Sequence, residues 1–154
     1  YVASGDPHKN HTNLIYAWCL LADEGIFPQL ILTIDSRKYT ELYDFIHENI
    51  LINQLHIKNI PNFDSINELY EKADALIYPS LFESFGIPII EARSFKLPVL
   101  ASELDYVRDL IDPEESFDPN SPVSISRAVK RYMGHKTHQV DLTARIDFIN
   151  IICN

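Results

Sequence analysis

The sequence predicts an α/β domain: a Rossmann-like, doubly wound parallel sheet of about six strands with helices on both faces. Three observations predict it. Short apolar runs alternate with segments of helical periodicity along most of the 154 residues, the pattern of repeated βαβ units. Turn and cap residues separate them, notably Gly25, Pro88, Pro113 and Ser121-Pro122. The length suits one domain with a sizeable core. Right-handed crossovers then follow, and ligands are expected beyond the carboxyl ends of the strands, at the switch point.

The elements follow in order. Residues 1–4, Tyr1-Val2-Ala3-Ser4, read as a first strand. A helix over 12–24 places Leu14, Ala17, Trp18 and Leu21 on one face and stops at Gly25. Residues 29–35 are a β-branched-rich run, and a helix over about 39–50 follows with Leu42, Phe45 and Ile46 on one face. A weaker third strand covers 55–60. Ser65 and Glu68 form a capping-box pattern ahead of Leu69 and Tyr70. The fourth strand covers 75–80, and a helix over 88–96 carries proline in its first turn. A fifth strand covers 98–102, a short helix 106–111, and a short sixth strand 116–118. A helix from Ser121-Pro122 runs to Gly134, and 140–152 reads as a terminal helix. Residues 1–134 form the domain, with 135–154 a helical tail.

Composition narrows the function. Apolar residues make up 46% and charged residues 23%, as in a soluble globular protein. The net charge of −9 has no basic stripe to balance it, which argues against a nucleic-acid partner and against contact with an anionic membrane. No window is apolar over the ~18 residues that a membrane span needs. The two cysteines, Cys19 and Cys153, lack paired spacing, so a reducing, cytoplasmic setting is expected. The first residue is Tyr1, which is expected to mark a domain of a longer polypeptide whose other part holds half of the active site.

The chemistry concentrates at Ser80-Leu81-Phe82-Glu83-Ser84-Phe85-Gly86-Ile87-Pro88-Ile89-Ile90-Glu91. Here an apolar strand breaks at a glycine and enters a helix through proline. Gly86 lets a ligand approach the backbone, and the amides at the helix start suit a diphosphate. The plain alternative is a glycine that only turns the chain. Glu83 and Glu91 could accept hydrogen bonds from sugar hydroxyls; the alternatives are a solvated loop acid and a first-turn glutamate favoured by the helix dipole. In Pro7-His8-Lys9-Asn10-His11, Lys9 lies close to a helix start and can meet a phosphate, or be a surface lysine. His8 and His11 have no third ligand to make a metal site. The Gly-x-Gly-x-x-Gly loop, the Walker loop and the Gly-x-Ser-x-Gly elbow are all absent. The single acid Asp6 after the first strand does not supply the acidic pair of a phospho-acceptor domain.

Together these residues resemble the C-terminal, donor-binding domain of GT-B glycosyltransferases of family 4, the glycosyl transferases group 1 family. Residues 73–92 look like the family's central block, with its two glutamates separated by seven residues. Pro98-Val99-Leu100-Ala101-Ser102, Phe117-Asp118-Pro119-Asn120 and Lys9-Asn10 resemble its following strand, its later loop and its lysine-bearing turn. The resemblance spans about residues 1–133. It implies the C-terminal half of a GT-B fold, and transfer of a hexosyl group from a nucleoside diphosphate sugar with retention of configuration and without a metal or other cofactor. By position, Lys9 would neutralise the leaving diphosphate and Glu83 would contact the donor sugar, the pair carrying catalysis. His8, Asn10, Ser84, Phe85, Gly86 and Ile87 would line the donor site. Glu91 would hold the ribose, and Ile60 would lie at the nucleobase. The acceptor would be held by an N-terminal domain absent from this chain, the isolated piece would be inactive, and the longer protein would be peripheral at the inner face of a membrane. Surface polysaccharide synthesis is a family-level expectation.

The chain departs from the pattern at three places. Ser4 stands where members often carry an arginine, Ser84 where a glycine is common, and Lys96-Leu97-Pro98 and Glu103-Leu104-Asp105 replace glycine-containing turns. Two alternatives accompany this reading: a GT-B sugar-nucleotide epimerase domain, and a non-catalytic nucleotide-sugar-binding scaffold.

Overall fold

The structure, a computed structural model, describes residues 1–61 and 66–135. Ser65 of the expected capping box and the expected helix over 140–152 lie outside the described residues. Among the described residues, six α-helices and five strands are arranged as α1 (His11–Asp23), β1 (Leu30–Leu32), α2 (Thr40–Asn53), β2 (Ile57–Asn59), α3 (Ile66–Lys72), β3 (Leu76–Tyr78), α4 (Ile87–Ser94), β4 (Val99–Ser102), α5 (Asp105–Arg108), β5 (Glu115–Phe117) and α6 (Pro122–Tyr132). A 3₁₀ turn, Pro7–Lys9, precedes α1.

All pairings are parallel, in two sheets of order β1-β2 and β3-β4-β5. Leu30 faces Ile57, Leu76 faces Val99, and Leu100 faces Glu115. Every residue of β3 and β4 is buried, because helices cover both faces of a parallel sheet and leave no solvated side. β2 is half-exposed along its length, consistent with an edge.

The expected first strand is the main correction. Residues 1–4 are not a strand. The Tyr1 main-chain nitrogen donates to the Ile31 carbonyl (2.6 Å), but Ala3 pairs with the Thr33 hydroxyl instead of its backbone. A side chain thus takes the place of a ladder partner. The segment lies between the two sheets: the Tyr1 ring also meets Tyr78 edge-on at 5.6 Å. A mostly apolar cavity of about 310 Å³ separates the facing edges of β1 and β3, lined by Leu30 and Ile31 on one side and Leu76 and Ile77 on the other.

The core follows from helical periodicity. Leu14, Ile15, Ala17, Trp18 and Leu21 of α1 are buried and pack against α6, whose inward face carries Ile125, Ala128 and Val129. Each fully buried Leu or Ile contributes roughly 1.5–3 kcal/mol. The Trp18 indole donates to the Pro28 carbonyl (2.9 Å). Ser121 caps α6, accepting from the Ser124 amide (3.2 Å) ahead of Pro122. α4 rests on β3 and β4. Among the described residues, no helix is long and apolar enough to cross a membrane.

At the carboxyl ends of the strands, Asn10 ties three loops together. It is buried and left-handed (φ 61°). Its Nδ2 donates to the Pro79 carbonyl after β3 (3.0 Å) and the Pro119 carbonyl after β5 (2.7 Å). Asn10→Ala leaves the Pro79 carbonyl without this donor, while Pro119 keeps a bond from Asn13 Nδ2 (3.1 Å), and it places alanine in a left-handed conformation. It should lower unfolding free energy by about 2–4 kcal/mol, read as a lower urea midpoint at unchanged slope.

Candidate functional site

A cleft of about 470 Å³ opens beyond the strand ends. One wall is residues 2–4, with Lys9 and Thr33. The other is the loop from Glu83 to Ile87 with Pro88, and Tyr78 also lines it. It therefore lies where a doubly wound sheet places ligands.

Two loops remote in sequence build this cleft. The Leu81 amide donates to the His8 carbonyl (2.8 Å). The His8 and Phe82 rings stack at 4.6 Å between centroids. Lys9 Nζ donates to Glu83 Oε1 at 2.6 Å, with both side chains partly buried (16% and 11% exposed). Burial alone would raise the Glu83 carboxyl, but the Lys9 ammonium and the Ser80 and Tyr78 hydroxyls outweigh it and hold the carboxyl below the usual carboxylate range. Glu83 is therefore an ionised acceptor at neutral pH.

The floor beneath Glu83 is hydroxyl-rich. The Tyr1 hydroxyl donates to the Lys9 carbonyl (2.8 Å) and meets Ser80 Oγ (2.9 Å). The Ser80 carbonyl in turn accepts from Ser102 Oγ (2.9 Å) and from Tyr106 (2.8 Å). Burial pushes all three phenols, Tyr1, Tyr78 and Tyr106, upward in pKa, so they stay protonated. Sequence reasoning did not name these residues as site components. The available signal for Tyr78, Ser80 and Ser102 is polar residues within or at the end of otherwise apolar strand runs; Tyr1 and Tyr106 carry none.

At Gly86 the chain turns into α4 with φ 55° and ψ 41°, a conformation that glycine adopts without strain. Pro88 has no N–H, and the Ile89 amide turns back onto the Gly86 carbonyl (2.9 Å), which also accepts the first ordinary helical bond from Ile90 (3.4 Å). The helix start thus offers an anion fewer amides than an ideal N-terminus, chiefly those of Gly86 and Ile87. Phe85 and Ile87 are exposed, at 76% and 59%.

The structure brings Lys9, Glu83, Ser84, Phe85, Gly86 and Ile87 to one cleft; the other expected residues, His8, Asn10, Ile60 and Glu91, do not line it. His8 lies behind Lys9 against Phe82. Asn10 has both amide hydrogens engaged within the protein. Glu91 accepts from the Tyr70 hydroxyl at Oε2 (2.9 Å). Ile60 sits past β2, its amide on the Leu32 carbonyl (2.8 Å), beside Asn59, which exchanges two hydrogen bonds with the Ile34 backbone. Ser4 binds Asp6 Oδ2 (2.7 Å). Glu103 pairs with Arg108, whose hydrogen bonds push the Glu103 carboxyl down to about 2. It does not line the cleft.

The family model described as "Glycosyl transferases group 1" matches residues 1–146. The chain is 25% identical over 148 residues to the O-antigen chain mannosyltransferase B of Escherichia coli, covering 94% of this chain and 39% of that protein. The chain thus spans about two fifths of that relative's length. Among solved structures it is similar to a glycosyltransferase from Rickettsia africae, with TM-score 0.76, 21% identity, and coverage of 86% and 36% of the two chains. It is also similar to Anabaena Alr3699/HepE in complex with UDP and glucose, with TM-score 0.68, 20% identity, and coverage of 86% and 38%. At these identities the structural likeness is one of fold.

Two outcomes follow from the geometry. A Cβ at Gly86 would lie 2.9 Å from Leu110 Cδ1, a side-chain end that can move. Gly86→Ala should therefore lower stability by about 1–2 kcal/mol, mainly through its positive φ, in denaturant titrations. Buried His11 donates from Nε2 to the Ser4 carbonyl (2.8 Å), and burial pushes its pKa down to about 4. The unfolded chain takes up that proton near pH 6.5, so stability should fall by up to about 3 kcal/mol as pH drops from 6.5 to 4. His11→Gln should flatten this part of the profile.

Proposed function

We propose that this chain, which belongs to the glycosyl transferases group 1 family, is the donor-binding half of a retaining glycosyltransferase that moves a hexosyl group from a nucleoside diphosphate sugar to an acceptor. The observation that carries the reading is the Lys9–Glu83 pair in a cleft backed by the Gly86 turn. A cation for phosphate and a carboxylate for hydroxyls stand side by side, which matches the two chemistries of a nucleotide sugar.

In the proposed reaction, donor binding exchanges the ion pair for ligand contacts. Lys9 turns to the diphosphate, joined by the amides at Gly86 and Ile87. Glu83, ionised and acceptor-only, takes hydrogen bonds from the sugar hydroxyls. As the glycosidic bond to the diphosphate breaks, negative charge grows on the leaving oxygen. Lys9 and the amides are already aimed there, so they stabilise the transition state without reorganising. His8 and Asn10 hold the Lys9 turn in place, and Glu91 accepts from the ribose. The base lies towards Ile60. No metal enters this scheme.

The name of the Escherichia coli relative makes mannosyl the first sugar to test and surface polysaccharide the first product class. UDP bound to the Anabaena protein supports a nucleoside diphosphate as ligand. The acceptor is held by an N-terminal domain across the cleft, in the cytoplasm or at the inner face of a membrane, and this half alone transfers nothing.

In the full-length protein, Lys9→Ala should lower kcat by about 10²–10³-fold, the effect of removing one preorganised donor. Glu91→Ala should raise the donor KM about tenfold, the loss of hydrogen bonds to a charged group. Steady-state kinetics with GDP- and UDP-hexoses read both. Unchanged kinetics in both variants would sink the assignment.

A further inference from the structure

Glu91 does not face solvent freely. It lies half-buried on α4, one turn before Phe95 and on the same face, since residues four apart are neighbours on a helix. Both meet Tyr70, which comes from α3 and is 3% exposed. The Tyr70 ring lies tilted against Phe95 with centroids 5.7 Å apart. Its hydroxyl donates to Glu91 Oε2 at 2.9 Å. Oε1 makes no hydrogen bond among the described residues. The phenol is thus clamped at its ring, and its only side-chain polar atom is aimed at one carboxylate oxygen.

We propose that Tyr70 is a positioning residue: it fixes the Glu91 carboxylate so that Oε1 is presented to the vicinal hydroxyls of the nucleotide ribose. The proposal rests on the donor-binding reading above. A carboxylate at the end of a glutamate side chain loses rotamer freedom when a ligand orders it. A buried donor that orders it beforehand removes part of that loss from binding. Tyr70 is suited to the task because burial and the Glu91 charge push its pKa well above the ordinary tyrosine value, which keeps it a donor at all working pH. Its hydrogen bond also joins two elements, α3, which comes after β2 in the chain, and α4, which follows the Gly86 turn.

The test uses the full-length protein titrated with UDP, GDP and ADP, each beside its 2′,3′-dideoxy form. The quantity read is the ratio of the two dissociation constants for the best-bound base. In the wild type the ribose form should bind about tenfold tighter. Tyr70→Phe keeps the ring and removes only the hydroxyl. It should bring the ratio down several-fold while leaving dideoxynucleotide affinity and kcat unaffected. In an E91A background the ratio should be about one, and adding Y70F should change nothing further. A wild-type ratio retained in Y70F overturns the role of Tyr70. A ratio retained in E91A overturns the ribose reading of Glu91 itself. Loss of dideoxynucleotide affinity in Y70F would make Tyr70 a purely structural residue and also overturn the proposal.

Discussion

Everything at the ligand end of this fold depends on the buried amide of Asn10. Three loops meet there, one after residues 1–4, one after β3 and one after β5, and each has a carbonyl or a turn that must be satisfied away from water. Two of the carbonyls, Pro79 and Pro119, accept from the same Nδ2. An unpaired buried carbonyl costs about 1–3 kcal/mol, so the contact sets how closely the loops can approach. Its left-handed backbone also turns the chain from the Pro7–Lys9 turn straight into α1. Lys9, its neighbour, is thereby aimed across the cleft.

From that anchor the site assembles by adjacency. Lys9 reaches Glu83 because the Leu81 amide and the Phe82 ring already dock on His8. Glu83 stays ionised because the hydroxyl floor and the ammonium outweigh its desolvation. The pair is held apart from bulk water more than a surface bridge, for which screening leaves little net energy. It is also only partly buried, so a ligand can displace it. A fully buried pair would resist opening, since each charge would then lose its only compensation. An intermediate degree of burial thus suits a site whose two charges must be re-partnered by diphosphate and sugar.

The backbone of the central block has a comparable double role. Gly86 provides the left-handed turn, but the missing N–H of Pro88 and the Ile89 amide folded back onto the Gly86 carbonyl reduce the number of free N–H groups. The helix start is therefore a modest anion site, and Lys9 carries more of the charge that a diphosphate requires. This weighting sharpens the expectation for Ser4. With its hydroxyl bound to Asp6, the position supplies no cation, and among the described residues Lys9 is the one lysine or arginine in the cleft lining.

Much was legible in the linear chain. Alternating apolar runs and helical periodicity determined the α/β class, because buried parallel strands and amphipathic helices have different periods. Local chemistry also determined the caps: Ser121 before Pro122, and the glycine turn into α4. The motif spacing located the segment from Glu83 to Glu91, the turn before α1 pointed to Lys9, and the resemblance joined the two. The tertiary structure alone decided the rest, for one reason: hydrogen bonds between residues 21 to 109 positions apart leave no periodic trace. Residues 1–4 have strand composition, yet the Thr33 side chain, 30 positions on from Ala3, takes the ladder's place. Asn10 reads as a turn residue until Pro79 and Pro119 converge on it. Glu91 reads as a first-turn glutamate until Tyr70, 21 positions earlier, appears beside it.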